Sequence, residues 1–193
     1  MGVWQLIAED IRAWKRHGFG RDDGKVRLGE ALGMYFRYMG LRATVLYRFS
    51  RAVRRLHIPG LSLMLWHRCI RRYGLDIVPS VAIGPGLYIA HPVGTVIMAH
   101  QIGSNLSITT SVTIGMRTVP QFPTIGDNVT IGAGARVLGA ITLGDGVIVG
   151  ANAVVLDDVP AGATAVGVPA RVLLAKGTLQ LDYSSTANGA NSL

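Results

Sequence analysis

The chain has a single cysteine, Cys69, among its 193 residues, so no internal disulfide can form. That excludes a small secreted scaffold held by disulfide staples and fits a reducing cytoplasm. Cys69 itself reads as a small buried hydrophobe rather than a reactive thiol. A secretory leader is also missing, since Glu9 and Asp10 fall where its apolar core would continue. Long apolar runs are scarce: only Val137–Leu156, with Asp145 its one charge, approaches the length of a membrane span. Its glycines and internal rhythm argue against a membrane helix. Acidic residues are few, 11 against 19 Lys and Arg, and the imbalance is confined to one end. Of those basic residues 15 precede Asp76, against five acids, so that part carries +10 and the remainder −2. Such asymmetry points the N-terminal part towards an anionic partner: membrane surface, polyanionic glycan or nucleic acid. No nucleic-acid reading motif accompanies the charge, and its Trp and Tyr residues fall at helical core spacing, so nucleic acid is set aside.

What is present is a rhythm. From Ile77 to Leu156 an aliphatic residue recurs every six positions, usually with glycine next. Taken as three hexads per coil, the rhythm resolves into three columns. The first holds Ile77, Val96, Ile114, Val137 and Val155; the second Ile83, Ile102, Ile125 and Leu143; the third Ile89, Ile108, Ile131 and Val149. Six fits neither a helix nor a half-buried strand. It marks a hexapeptide solenoid whose short strands stack about 4.8 Å apart, with the columns filling the interior. The step from Ile89 to Val96 is seven, so one residue is expected to bulge after His91. The step from Ile114 to Ile125 is eleven, which ejects a loop at Met116–Pro123. Loops leaving a rigid repeat scaffold are common places for binding groups.

Three segments follow: a basic α-helical part at 1–75, the solenoid at 76–173, and a polar, Ser/Asn/Gly-rich tail at 174–193, expected to be mobile. In the first, Trp4, Ile7, Ile11 and Trp14 share a helical face, and Gly18–Gly24 breaks the pattern. A second helix is expected over 27–38, interrupted by Gly40, then others over 41–56 and 61–73. Two readings of this part stay open. Either it caps the solenoid end with its arginines solvated, or it lays a basic amphipathic surface on the anionic inner leaflet of a membrane.

A solenoid packed with aliphatics has no deep internal cavity, so a site must use a face, a loop or a groove between copies. Its flat faces favour a closed cyclic oligomer, most simply a trimer. Asp76 lies 15 residues before His91, on the coil below and near one corner. A carboxylate under an imidazole fixes its tautomer and stabilises its protonated form. The histidine could then take a proton from a hydroxyl, worth roughly 10²–10⁴-fold in rate. By spacing alone, a surface Asp and His that never meet is the better-supported reading. His100, two before a column residue, should face inward or line the corner, as a structural histidine or a substrate contact. With only these two histidines in the solenoid, a three-histidine metal site between copies is disfavoured and no metal is expected.

Several stretches together resemble the serine acetyltransferase-like branch of the hexapeptide acyltransferases: Asp76-Ile77-Val78-Pro79, IGPGLYIAHPVG at 83–94, SVTIG at 111–115, IGAGARVLG at 131–139 and GVPARV at 167–172. The resemblance implies a left-handed parallel β-helix, preceded by helices and assembled as a homotrimer; a dimer of such trimers stays open as the alternative. It implies acetyl-CoA as co-substrate, His91 as base and Asp76 as its partner. It also implies a groove between copies in which Gly115, Ala133 and Ala151 let the pantetheine arm approach the backbone and Arg171 meets the phosphates. Two departures stand out. Serine-specific members carry Arg-His-Pro where this chain has Gln121-Phe122-Pro123, and the family's Asp before the base is Ala90. Phe122 would suit a sugar ring's C–H face, with Gln121 and His100 beside it. The expectation is an O-acetyltransferase acting on a saccharide, such as an exopolysaccharide or capsule precursor. Serine O-acetylation in cysteine biosynthesis and a non-enzymatic scaffold are the alternatives.

Overall fold

A computed structural model describes residues 1–19 and 26–173. The expected tail and most of the Gly18–Gly24 break lie outside the described residues. Four helices come first: α1 (Val3–Phe19), α2 (Leu28–Arg37), α3 (Met39–Arg55) and α4 (Pro59–Tyr73). The last is bounded as its sequence suggests, with Pro59 in its first turn and Gly74 closing it in the left-handed region at φ 64°. Gly40 does not interrupt a helix. The break falls at the extended Tyr38, and Gly40 lies in the first turn of α3. A Cβ at Gly40 would stand 2.0 Å from the Ile89 carbonyl oxygen and 2.8 Å from the Trp14 ring. Close approach to the solenoid, not chain termination, is what requires glycine there.

Short parallel strands then build three sheets. The first contains β1 (Leu75–Ile77), β3 (Thr95–Ile97), β6 (Thr113–Gly115), β9 (Arg136–Leu138) and β12 (Val154–Val155). The second contains β4 (Gln101–Ile102), β7 (Thr124–Ile125) and β10 (Thr142–Leu143). The third runs through β2 (Tyr88–Ile89), β5 (Ser107–Ile108), β8 (Thr130–Ile131), β11 (Ile148–Val149) and β13 (Thr164–Val166). Finally β14 (Arg171–Leu173) turns back antiparallel on β13 and ends the coil stack. The span-like stretch 137–156 is thus four solenoid strands, and no described helix is long and apolar enough to cross a membrane.

Columns two and three stack in the expected register, extended by Val159 and Ala165. Column one needs a correction. Ile77 pairs with Ile97, and Ile97 with Ile114, whereas Val96 pairs with Asp76 and points outward. The step from Ile89 is therefore eight: two extra residues, not one, jut out at the His91 corner. Sequence period could not choose between adjacent aliphatics, because a one-residue slip exchanges the two faces.

The helices close the first coil through a buried ion pair. Arg48, 1% exposed, donates from Nε and Nη2 to the Asp10 carboxylate at 2.8 and 2.9 Å. Its guanidinium also reaches the Ile83 and Gly84 carbonyls, both at 2.6 Å. Asp10 Oδ1 accepts the N–H groups of Gly86 and Leu87 at 3.0 and 2.8 Å. The expectation of simply solvated arginines fails here, because the carbonyls ending the coil stack need donors that water cannot supply once covered.

Candidate active site

Two corners of the prism carry the candidate residues. The first joins the third sheet to the first. There Ile89 ends β2, and His91-Pro92-Val93-Gly94 bridges to β3, with the His91 side chain exposed. The corner is pinned on both sides. His91 N–H donates to the Thr109 carbonyl above at 2.8 Å, and Gly94 N–H donates to Gly74 at 3.0 Å. Glycine at 74 permits that approach, since a Cβ would meet Val93 Cα at 3.2 Å.

Asp76 occupies the middle of β1, its side chain turned outward between buried Leu75 and Ile77. It lies beside the His91 corner, but no hydrogen bond joins the two side chains. Instead Asp76 Oδ1 accepts the Trp66 indole N–H at 2.9 Å, and Oδ2 has no partner among the described residues. The expected carboxylate–imidazole contact is therefore not formed in the single chain. Trp66, the residue that sequence reading missed, comes from α4, and nothing in local spacing ties it to Asp76. Behind this pair the pKa of the buried Cys69 thiol is pushed up to about 12, by burial first and by the Asp76 charge second.

Ala133 and Ala151 lie on the same corner, one coil apart, linked by Asn152 N–H donating to the Ala133 carbonyl at 2.8 Å. Ala133 is half-buried and Ala151 exposed. With coils about 4.8 Å apart, His91 to Ala151 spans three steps, about 14 Å. Arg171, exposed, begins β14 just past the top of this line.

The second corner joins the first sheet to the second. Gly115 ends β6 there, and Met116–Pro123 leaves the prism as an exposed loop holding Gln121 and half-buried Phe122. A Cβ on Gly115 would meet nothing within 4 Å. His100 sits directly beneath, its backbone N–H donating to Pro123 at 2.9 Å. Its side chain is exposed rather than inward. The corner from Ile97 to Ile102 takes five residues instead of six, and Ala99 is the one that turns in. A three-residue strand, about 10 Å, separates the two corners. One chain thus gathers His91, Asp76, Ala133, Ala151 and Arg171 apart from Gly115, Gln121, Phe122 and His100. Among the described residues no three of His, Cys, Asp and Glu cluster as metal ligands.

Residues 122–157 match the family described as bacterial transferase hexapeptide (six repeats). A serine acetyltransferase of Synechocystis sp. is 44% identical over 146 residues, which cover 74% of this chain and 59% of that protein. Another, of Helicobacter pylori strain J99, is 42% identical over 142 residues, covering 70% of this chain and 82% of that protein. This chain belongs to the serine acetyltransferase family. Among solved members, soybean serine acetyltransferase complexed with serine superposes with a TM-score of 0.78 at 36% identity, over 89% of this chain and 70% of that one. A serine acetyltransferase in complex with CoA gives 0.76 at 32% identity, with the same coverage. Relative to the cyanobacterial family member, this chain spans less than two thirds of the length.

Proposed function

We propose that this chain transfers the acetyl group of acetyl-CoA to the hydroxyl of L-serine in a groove between copies of itself. The observation that carries the reading is the jutting His91 corner, set beside Asp76 and in line with Ala133 and Ala151. The named relatives at 44% and 42% identity, and neighbours bound to serine and to CoA, support acceptor and co-substrate. The surroundings fit such a ligand. Methyl side chains line one corner, open space adjoins Gly115 at the other, and Arg171 is free of ion pairs among the described residues. The two corners of one chain face apart, so a groove lined by both needs one copy's first corner against another's second. A trimer supplies that arrangement.

In this groove His91 removes the acceptor's hydroxyl proton as the oxygen attacks the thioester carbonyl; the tetrahedral adduct then breaks its C–S bond, and the departing CoA thiolate takes that proton back from the imidazolium. Asp76, its Oδ1 held by Trp66, keeps Oδ2 for the imidazolium that forms. Backbone N–H groups near Gly115 meet the developing oxyanion. Holding both substrates together supplies much of the remaining acceleration.

A saccharide hydroxyl is the second reading. It rests on the loop, where Gln121 and Phe122 offer no charge to an amino-acid carboxylate and Arg117 is the one cation. The saccharide expectation has no support from the relatives. The deciding measurement is thiol release from acetyl-CoA with L-serine, simple sugars and nucleotide sugars offered in turn, with His91→Ala as control. Turnover with serine, reduced by roughly 10²-fold or more in the variant, is the expected result. Turnover with sugars alone would transfer the proposal to the second reading. Equal rates in wild type and variant would remove His91 from the mechanism.

A further inference from the structure

On the second corner's side of the first coil, beneath His100 and away from the His91 corner, Arg51, Arg54, Arg55 and His57 converge with Pro79 and Ser80 around an open cavity of about 610 Å³. That volume falls in the range of small-molecule sites. Among the described residues no carboxylate lines it. The acids of the helices among the described residues are engaged elsewhere: Glu9 with Arg12, Asp10 with Arg48, Glu30 with Lys15.

Arg51 has a structural task. Its Nη1 donates to the carbonyls of Pro79, Ser80 and Val81 at 3.2, 2.8 and 2.7 Å, which fixes the guanidinium against the first coil. Burial first, then repulsion from Arg55, Arg48 and Arg54, draws the pKa of this group below its ordinary value, against a contrary pull from Tyr47. Crowding cations in this way opposes folding unless something negative enters. Arg54 and Arg55 have no such task, being exposed and without hydrogen-bond or ion-pair partners among the described residues. Two basic residues in the last turn of α3 suit its dipole, but that effect is as well served by side chains in open solvent. It does not account for convergence on one cavity.

We infer that this cavity binds the phosphate groups of a ligand, with Arg54 and Arg55 as the recognition pair and Arg51 as the fixed wall. Guanidinium groups match phosphate oxygens two at a time, and such charge-assisted bonds are the strong ones. The ligand is either a soluble diphosphate ester or a phospholipid headgroup; exposed Leu56 and Ile58 beside the cavity would suit the latter. The site is separate from the line of Ala133, Ala151 and Arg171, because Pro79 and Ser80 lie between Ile77 and Ile83, on the second corner one coil below His100. Phosphate binding there does not depend on acetyl transfer.

The test is calorimetric titration of the full chain with inorganic pyrophosphate, without acetyl-CoA, alongside flotation with phosphatidylcholine vesicles containing or lacking phosphatidylglycerol. Binding of either phosphate probe should weaken at least about tenfold in Arg54→Glu/Arg55→Glu, since two charge-assisted contacts are lost and replaced by repulsion. It should survive in Arg171→Glu. Pyrophosphate binding without vesicle binding identifies the soluble source, and the converse identifies the lipid. Should the charge reversal lower the melting point, Arg54→Gln/Arg55→Gln provides the same comparison. Wild type that binds neither probe, a double variant that binds as wild type does, or loss in Arg171→Glu instead would overturn the assignment.

Discussion

Tyr47 shows how much one side chain can report. It is 2% exposed on α3, and its hydroxyl donates to the Val81 carbonyl at 2.8 Å, joining helix to first coil. Burial raises its pKa to about 12, with smaller and opposing effects from the surrounding charges. In the unfolded chain the phenol ionises near 10, so between about pH 10 and 12 the unfolded state loses a proton that the folded state keeps. The Tyr47 contribution is thus intact below pH 10 and falls as pH rises through that window, by about 3 kcal/mol in all. Tyr47→Phe should cost about 1 kcal/mol at neutral pH. It should also flatten this alkaline loss in chemical denaturation curves. A variant whose stability declines between pH 10 and 12 as steeply as wild type would refute the assignment. Cys69, 3% exposed and likewise raised to about 12, adds a second contribution of the same sign. Its burial matches the expectation of an inert small hydrophobe. Asp10 and Arg48 mark the limit of residue-level reading: sequence shows two charges on helical segments, and only packing makes them a buried pair.

At the scale of the coil, glycines are of two kinds that sequence does not distinguish. Gly103 follows a column residue, as Gly115 does. A Cβ on Gly103 would stand 2.7 Å from the carbonyl of Gly126 on the next coil and 2.3 Å from Asp127 Oδ1. That backbone cannot retreat, because Ser104 N–H and Asp127 N–H are tied to aspartates one coil on, Asp127 and Asp145. Gly103→Ala should therefore destabilise by about 1–3 kcal/mol, the usual range for overpacking. Gly115→Ala faces open space and should leave the melting temperature unchanged, while raising KM for acetyl-CoA if the pantetheine arm lies there. Thermal melts and steady-state kinetics on the pair check both halves; equal melting points would refute the packing account. Strand positions in columns two and three were legible in sequence because each depends only on alternation and on the residue one coil away. The first column misled at Val96 because the corner before it holds two extra residues, and Val96 and Ile97 are equally apolar.

For the whole molecule, the separation of two half-sites by a strand's width is the feature with most consequence. Exposed aliphatics sit around the corners and the ejected loop, including Val93 (55%), Met116 (47%) and Val119 (52%). Burying such groups yields about 25 cal/mol per Å² of apolar surface. We expect native mass spectrometry to give three times the chain mass, and acetyl transfer to fall when dilution separates the copies. A fully active monomer would refute a groove shared between copies. The helices pack on the first coil through Tyr47, Arg48 and Arg51, and to that extent the cap reading of the N-terminal part describes them well.

The six-residue rhythm by itself determined the coils and columns two and three, because every repeat restates it, and its one long break marked the ejected loop; the family resemblance was carried by particular motifs such as IGPGLYIAHPVG at 83–94. Tertiary structure alone decided that Arg48 is buried against Asp10, 38 residues away, that Asp10 reaches Leu87, 77 residues away, and that Trp66 rather than His91 holds Asp76. It alone set the candidate residues on two separate corners. Those outcomes depend on where the helices meet the first coil and on how many residues each corner takes. No period records either, since a period carries only what recurs and these contacts occur once.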